Sequence, residues 1–550
     1  MMNGAALVAE ILKREGTEFL SCYPRNPLIE ECVKVGIRPI LCRQERVGVG
    51  IADGYSRVKR GNANGVFAAQ AGPGIENAFP GIAQAYTENV PILILPGGLG
   101  SARQYRHPSF SAVDVFAPVT KWAARAHSVD VIPGLMRQAY HAMRTGKGGP
   151  VLLEIPLEVW DQEYNDELDY KPVRPYPIAP ERQAIEEAAK ILLEAENPIL
   201  WAGQGVLYAE ASSAVTELAE SIPAPVMMTN PGKSAVAENH SLALGSSTRS
   251  RPRMVSHFMD RADVIFAIGS SLTITNFGPK VPSGKRIIHS TIDPSDINKD
   301  YFAEHAVIGD AKLVAEALIA EIKVQRGEEV EGKRQTLVNE IKSVKSSWLG
   351  EWAKHRTSDE VPINQYRVIQ DLMDTLEMEN IIITHDSGSP REQMMSSWES
   401  TTPGSYIGWG KSTQLGYGLG LNMGAKLAAP DKICINVMGD AAIGMTGMDL
   451  ETASRNGIAT LTIVFNNGVM AAERDVLILA TEKYNSMDVG GNYTKVAEGL
   501  NVQSRRIERP EDIIPAIKDA VTTIKGGKPY LLEFIVKEGY DFSRDKVDGL

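Results

Sequence analysis

The residues best suited to chemistry are a carboxylate and an amide that follow two buried-looking apolar runs in the last third of the chain. Asp440 follows the run 432–438, and Asn467, 27 positions later, follows the run 461–465. This spacing fits one strand–helix–strand unit, so both side chains are expected at the carboxyl ends of neighbouring parallel strands, where open α/β sheets bind ligands. Carboxylate and amide oxygens are hard ligands that suit Mg²⁺ or Ca²⁺ rather than zinc.

Small residues beside these two side chains would let backbone N–H groups approach a diphosphate. Ala441 and Ala442 follow Asp440, and Gly468 follows Asn467. Taken singly, the segment around Asp440 and the segment around Asn467 are each more typical of a turn that binds no ligand. Their joint occurrence, each after a strand-like run, favours a metal–diphosphate site.

Three blocks of sequence must position these residues. We place an N-terminal domain at 1–165, a central domain at 185–325 and a C-terminal domain at 360–538, separated by a proline-rich linker and a charged helical stretch. Short apolar runs alternate with helical patterns in the first block, and the other two repeat this style, which predicts parallel sheets covered by helices. The predicted fold class is α/β, with three doubly wound parallel-sheet domains.

The pattern from Gly439-Asp440 to Asn466-Asn467 resembles the binding motif of thiamine diphosphate-dependent enzymes, and the resemblance extends over nearly the whole chain. Within that family the acetolactate synthase (acetohydroxyacid synthase)-like group fits best. The resemblance implies pyrimidine-binding, central and diphosphate-binding domains, and thiamine diphosphate with Mg²⁺ as cofactors. It also implies active sites shared between two subunits, hence a homodimer or homotetramer, and a metal ligand set of Asp440, Asn467 and the Val469 carbonyl.

The same resemblance assigns the essential glutamate to Glu45, nine residues before Gly54. Its carboxyl would stand beside the aminopyrimidine ring and assist removal of the thiazolium C2 proton. Taken alone, Glu45 would be read as an exposed residue at a helix start. Leu415 would wedge between the two cofactor rings. The other cofactor contacts that the resemblance implies are Tyr23, Pro24, Pro73, Asn77, Gly388, Ser389, Gln414, Gly439, Ala441, Ala442 and Met470.

The residues that the resemblance places around the substrate depart from the family pattern. Arg25 stands where glycine is usual, and it either clamps a substrate carboxylate or phosphate or is a solvated loop residue. His107 is either an acid/base group of the altered pocket or an exposed loop histidine. The full set of substrate-side candidates is Arg25, Gly98, His107, Phe110, Ser111 and Ala472.

The central block lacks the Met-His-Gly-type stretch that accompanies FAD in acetolactate synthases, so we expect no functional FAD. It carries the arginine-rich loop 247–253 instead. This loop either holds the phosphates of ADP or coenzyme A or is a solvated basic loop.

These features predict thiamine diphosphate-dependent C–C bond cleavage or formation on 2-oxo acids, by an acetolactate synthase-like carboligase or decarboxylase. One alternative is a 2-hydroxyacyl-CoA lyase or oxalyl-CoA decarboxylase-like enzyme acting on acyl-CoA. An alternative of another class is a non-catalytic, cofactor-binding regulatory subunit. Glu45 argues against the last, because binding alone does not need that carboxyl.

Charge, cysteine content and hydropathy limit the cellular compartment and the partners that we expect. The chain has 550 residues and a formal charge of −11, which disfavours binding to a nucleic-acid backbone. Its four cysteines form no CxxC pair, so a reducing compartment is expected. No run approaches the ~20 apolar residues of a membrane span, and the amino terminus lacks a signal-peptide pattern. We therefore expect a cytoplasmic enzyme with a small-molecule substrate and no nucleic-acid or membrane partner.

Overall fold

The chain is built from three sheets of six parallel strands, each covered by helices. The structure is a computed structural model, and it describes residues 2–104, 106–326, 331–473, 476–539 and 541–543. Each sheet has its own contiguous stretch of sequence, and the three sheets follow one another along the chain. The predicted α/β fold class with three doubly wound domains is confirmed.

The N-terminal sheet has the strand order β3-β2-β4-β5-β7-β6, and a short antiparallel pair, β1 with β8, closes the domain. The strands of the N-terminal domain, with this pair included, are β1 (Met2–Asn3), β2 (Phe19–Cys22), β3 (Arg38–Leu41), β4 (Gly65–Ala69), β5 (Ile92–Gly98), β6 (Trp122–Arg125), β7 (Val151–Pro156) and β8 (Glu163–Tyr164). Its helices are α1 (Gly4–Arg14), α2 (Leu28–Lys34), α3 (Glu45–Val58), α4 (Pro73–Thr87), α5 (Ala112–Phe116), α6 (Ile132–Arg144) and α7 (Leu157–Asp161).

The central sheet has the order β11-β10-β9-β12-β13-β14. Its strands are β9 (Pro198–Ala202), β10 (Val226–Met228), β11 (Ala243–Ser246), β12 (Val264–Ile268), β13 (Arg286–Thr291) and β14 (His305–Ile308). Its helices are α8 (Arg182–Glu194), α9 (Gln204–Tyr208), α10 (Ser212–Ser221), α11 (Arg253–Arg261) and α12 (Ala311–Arg326), and the charged helix α13 (Glu331–Arg356) leads onward to the third sheet.

The C-terminal sheet has the order β16-β15-β17-β18-β20-β19, so β17 lies between β15 and β18. Its strands are β15 (Ile381–His385), β16 (Tyr406–Ile407), β17 (Ile433–Gly439), β18 (Thr460–Asn466), β19 (Gln503–Ile507) and β20 (Tyr530–Ile535). Its helices are α14 (Gln365–Thr375), α15 (Ser389–Ser397), α16 (Tyr417–Ala428), α17 (Asp440–Thr446), α18 (Leu450–Asn456), α19 (Ile478–Tyr484), α20 (Tyr493–Gly499) and α21 (Ile513–Lys525).

Alternation along the strands explains why both faces of each sheet are covered. In β4, Val66 and Ala68 belong to one buried cluster, whereas Phe67 and Ala69 belong to another on the opposite face. Successive side chains of a strand point to opposite faces, so an apolar run without polar alternation needs helices on both sides. Among the described residues, no helix combines the length and apolar character needed to cross a bilayer.

The N-terminal and C-terminal domains meet through α3 and α16, which approach so closely that only glycine fits at the crossing. A Cβ on Gly54 would lie 2.2 Å from the carbonyl oxygen of Leu421, and one on Gly424 would lie 2.1 Å from that of Ile51. These glycines let the two backbones touch. The contact fixes the start of α3, where Glu45 stands, against the loop that precedes α16.

Candidate active site

Three neighbouring strands of the C-terminal sheet end in glycines that border open space. Gly388 follows β15, Gly439 ends β17 and Gly468 follows β18, and a Cβ built on any of them would meet no atom within 4 Å. Gly388 and Gly468 also have positive φ angles of 86° and 76°, which favour glycine. The three strand ends therefore form a cradle without side chains, in which a diphosphate can approach the backbone closely.

Asp440 stands inside this cradle and organises it. Its side chain is only 3% exposed, and its two oxygens accept hydrogen bonds from the backbone amides of Ala441 (2.8 Å), Gly468 (2.7 Å) and Asn467 (3.2 Å). Burial raises the pKa of this carboxyl, although the three amides oppose the shift. The predicted proximity of Asp440 and Asn467 is present, because the two residues are joined directly through this bond.

A second network of hydrogen bonds holds the turn after β18. The Asn467 side-chain oxygen accepts from the Val469 amide (3.2 Å), which folds the turn back on itself. Asn466 donates to the buried Glu533 (2.7 Å) and accepts from the Gly468 amide (3.1 Å). These bonds orient the turn that carries two of the predicted metal ligands.

A magnesium ion and diphosphate fit this donor set. Asp440 supplies a carboxylate, Asn467 an amide oxygen and Val469 a backbone carbonyl, all of them hard oxygen donors. Mg²⁺ is commonly held by one or two carboxylates together with phosphate oxygens, so a single acid is sufficient. Within the described ranges no three His, Cys, Asp or Glu side chains cluster as a separate metal site.

Glu45 begins α3 and is 5% exposed, so it is not the exposed helix-start residue that its position alone suggests. Its side chain accepts a long hydrogen bond from the Asn77 side-chain nitrogen, at 3.4 Å. Gly74 at the start of α4 leaves room beside it, since a Cβ there would lie 3.6 Å from a Glu45 oxygen. Burial raises the pKa of this carboxyl.

The residues on either side of Glu45 reach the C-terminal domain of the same chain. The Gln44 side chain donates to the Met445 carbonyl (3.3 Å), the Arg43 amide donates to Asp449 (2.7 Å), and Arg46 donates to the Leu415 carbonyl. Met445 lies five residues after Asp440 in α17, about 7–8 Å along the helix axis. Glu45, Leu415 and Asp440 therefore surround one region between two domains of a single chain, whereas the resemblance implied a site shared between two subunits.

Two residues that sequence reasoning missed hold this arrangement together. Asp386, fully buried after β15, accepts hydrogen bonds from the amides of Gly416 and Gly418, and Arg46 bonds to Leu415. Asp386 follows a predicted strand just as Asp440 does, so its position at a strand end was a usable signal. Arg46 carried no such signal, since its partner lies in another domain.

The remaining cofactor-side candidates lie around the same edge with different roles. Pro73 starts α4, Ser389 starts α15, and Gln414 donates to the Pro80 carbonyl on α4. Tyr23 and Pro24 are exposed after β2, and the Met470 amide bonds to the Met487 carbonyl. Ala441 is partly exposed, whereas the Ala442 methyl is fully buried in the cluster between α3 and α16, so only its backbone can face a ligand.

Of the substrate-side candidates, Gly98 has a structural reason for being glycine. A Cβ at this position would lie 2.6 Å from an oxygen of Glu154, whose carboxylate is buried and pairs with Arg125 at 2.8 Å. A larger residue at position 98 would displace this ion pair. Arg25 is exposed, with a φ of 70°, and projects after β2 because the buried Asn26 anchors the following turn to Ala69 and Leu95.

The other substrate-side candidates are less directly placed. His107 is exposed, Phe110 packs partly against the apolar cluster beneath α4, and the Ser111 hydroxyl caps α5 by accepting from the Asp114 amide (3.4 Å). Ala472 is exposed in a short turn after Met470. These contacts give Phe110 and Ser111 local structural roles.

A cavity of about 640 Å³ lies where the central domain faces the two others. It is lined by segments that end or follow strands of the central sheet, including Gly205, Gly269 and Thr291, together with Lys411 of the C-terminal domain. The arginine-rich loop 247–253 is absent from this lining. Arg253 instead pairs with Glu351 at 2.5 Å, and the Arg249 guanidinium lies 4.7 Å from the centre of the Phe277 ring. Arg249 and Arg253 are thus engaged with protein groups away from the cavity.

Comparison with known proteins gives matches over most of the chain. Family models match in order: "Thiamine pyrophosphate enzyme, N-terminal TPP binding domain" at 2–117, "central domain" at 185–318 and "C-terminal TPP binding domain" at 386–534. A probable acetolactate synthase large subunit of Methanocaldococcus jannaschii is 29% identical over 97% of this chain and 92% of that protein. The corresponding protein of Methanococcus aeolicus is 28% identical with the same coverage, and a glyoxylate carboligase of Escherichia coli O157:H7 is 28% identical over 93% of this chain and 89% of that protein.

Proposed function

Because this chain belongs to the thiamine pyrophosphate enzymes, we propose that it binds thiamine diphosphate with Mg²⁺ and acts as an acetolactate synthase-like carboligase on 2-oxo acids. The observation that carries the proposal is the contact between α3 and the loop before α16. It brings Glu45 of one domain beside Leu415 of another, next to the Asp440 cradle. A plain nucleotide-binding sheet would not need the buried Glu45 carboxyl of a second domain beside this cradle.

Each part of the site has a separate task. Asp440, Asn467 and the Val469 carbonyl would hold Mg²⁺, and the absence of side chains at Gly388, Gly439 and Gly468 would let the diphosphate approach the backbone closely. Bound there, the cofactor supplies a carbon nucleophile and an electron sink. Leu415 would keep the two rings bent towards each other. Glu45, whose burial raises its pKa, would hold a proton at the ring nitrogen that it faces.

The substrate assignment rests on the relatives and on the loop 247–253. The similar proteins carry the names acetolactate synthase and glyoxylate carboligase, which favours carboligation of 2-oxo acids over chemistry on acyl-CoA. The arginine loop that motivated the acyl-CoA alternative does not line the central cavity. Arg25, which is exposed after β2, would meet the substrate carboxylate.

Calorimetric titration of thiamine diphosphate into the protein tests the cofactor half. We expect saturable binding that requires Mg²⁺ and is lost in Asp440→Asn. Asp431→Asn is the matched control, since Asp431 is exposed at the opposite, amino-terminal end of the same strand β17. Equal binding by both variants would refute the assignment of Asp440.

A substrate screen tests the reaction half. Pyruvate and glyoxylate are supplied singly and in pairs, acyl-CoA thioesters are supplied in parallel, and products are identified by mass spectrometry. We expect cofactor-dependent carboligation products from the 2-oxo acids. Saturable turnover of acyl-CoA alone would refute this substrate class, and cofactor binding without any turnover would favour the regulatory alternative.

Three further features complete the proposal. We propose that the central cavity takes a nucleotide such as ADP, supported by its size and by its place at the strand ends of the central sheet. A cytoplasmic location is supported by the four cysteines, all buried as free thiols. Assembly into a homodimer or homotetramer is supported by the exposed apolar run of Val476, Leu477, Ile478 and Leu479, and sedimentation would measure it.

A further inference from the structure

The loop before α16 is held by an unusual set of bonds to its backbone. Gly416 has a φ of 84°, and the Thr446 side chain occupies the space, 2.6 Å away, where a Cβ would stand. The Asp386 carboxylate accepts from the amide of Gly416 with one oxygen (2.8 Å) and from that of Gly418 with the other (2.9 Å). A single carboxylate therefore clamps both ends of the turn that immediately follows Leu415.

Leu415 is held from its other side by the N-terminal domain. Arg46, the neighbour of Glu45, donates to the Leu415 carbonyl, and Gln84 of α4 accepts from the Gln414 amide (3.4 Å). The Leu415 side chain is half-buried against the cluster that α3 and α16 share. Its direction is thus fixed by bonds to its backbone neighbours rather than by deep packing of its own side chain.

We infer that Asp386 is a positioning residue that sets the direction in which Leu415 is presented to the cofactor, acting together with Arg46 across the domain contact. This inference rests on the proposed function, in which Leu415 separates the two cofactor rings. A fully buried carboxylate is costly unless it serves polar partners, and here those partners are the Gly416 and Gly418 amides and the adjacent Ser387 amide (2.8 Å). Asp386 touches no reacting atom in this scheme.

The variant Asp386→Asn keeps the shape but places an NH₂ group against one of the two glycine amides, which then loses its acceptor. Asp371→Asn is the matched control: Asp371 is also buried in the C-terminal domain, but its carboxylate pairs with Arg367 of its own helix. Both variants are tested without cofactor by hydrogen exchange. We expect the glycine amide that loses its acceptor, Gly416 or Gly418, to exchange about 10- to 100-fold faster in Asp386→Asn only. Unchanged exchange would overturn the inference whatever the enzyme does.

The second arm uses the loaded enzyme and a double-mutant cycle with Leu415→Ala. We expect Asp386→Asn to lower kcat by about 10- to 100-fold while KM changes little, because it misplaces a group without touching substrate. In the Leu415→Ala background the same change should lower kcat by less than about threefold. Additive losses would overturn the inference. If the wild-type protein does not bind thiamine diphosphate but amide exchange is faster in Asp386→Asn, the proposed function is refuted. The structural role of Asp386 in holding the loop would still be supported.

Discussion

The contact between α3 and α16 makes Gly54→Ala a sharp test of how the site is assembled. The new methyl carbon would stand 2.2 Å from the Leu421 carbonyl oxygen and 2.8 Å from two further backbone atoms of that residue. Backbone cannot rotate away as a side chain can, so the two helices must separate. Overpacking typically costs about 1–3 kcal/mol, and an overlap of this size with backbone belongs at the upper end. The higher helix propensity of alanine raises the free energy of unfolding by about 1 kcal/mol, which leaves a net destabilisation of about 2 kcal/mol.

The assay compares thermal unfolding of Gly54→Ala with that of Gly350→Ala. Gly350 lies in α13, and a Cβ there meets nothing within 4 Å, so this control should gain the propensity without the overlap. For a cooperative unit of 150–250 residues, about 2 kcal/mol lowers the midpoint by about 4–8 °C. Gly54→Ala should also weaken thiamine diphosphate binding, because Glu45 moves with α3. A midpoint that rises in both variants would refute the reasoning.

Two further outcomes follow from buried charges. Because burial raises the folded-state pKa of Glu45, its neutral form favours folding, and this contribution is lost as pH rises through the folded pKa. The variant Glu45→Gln should therefore unfold at a higher temperature than wild type at pH 7, with a smaller difference at pH 4. The rate of C2 proton exchange of bound cofactor should fall about 10²–10⁴-fold in this variant. Equal midpoints at both pH values would contradict the burial argument. Lys233, 1% exposed, pairs with Glu238 at 2.6 Å, and Lys233→Met should destabilise the chain by about 3–5 kcal/mol in urea titration because it leaves that carboxylate buried without its cation. The double variant with Glu238→Gln should recover part of the loss, and no recovery would assign the effect to packing instead.

Local patterns in the sequence were enough to place Asp440 and Asn467 at the ends of strands. The apolar runs before Asp440 and Asn467 are strands β17 and β18, and the 27-residue spacing does place the two residues at adjacent strand ends. This worked because a parallel sheet sends the carboxyl ends of its strands to one edge, so spacing along the chain converts into proximity. Glu45 at the start of α3 was likewise marked by its sequence context, although its burial was not.

The tertiary structure alone decided which distant groups meet. The partners of Asp386 lie about 30 residues along the chain, the partner of Arg46 lies in another domain, and the glycine at position 98 is required by Glu154 on a neighbouring strand. By composition the loop 247–253 was either a phosphate site or a solvated basic loop, and the structure engages two of its arginines, Arg249 and Arg253, with protein groups. Periodicity and spacing report which face or strand end a residue occupies. They do not report which backbone amide a buried carboxylate will meet, since that depends on sheet order and on how two separately folded domains dock.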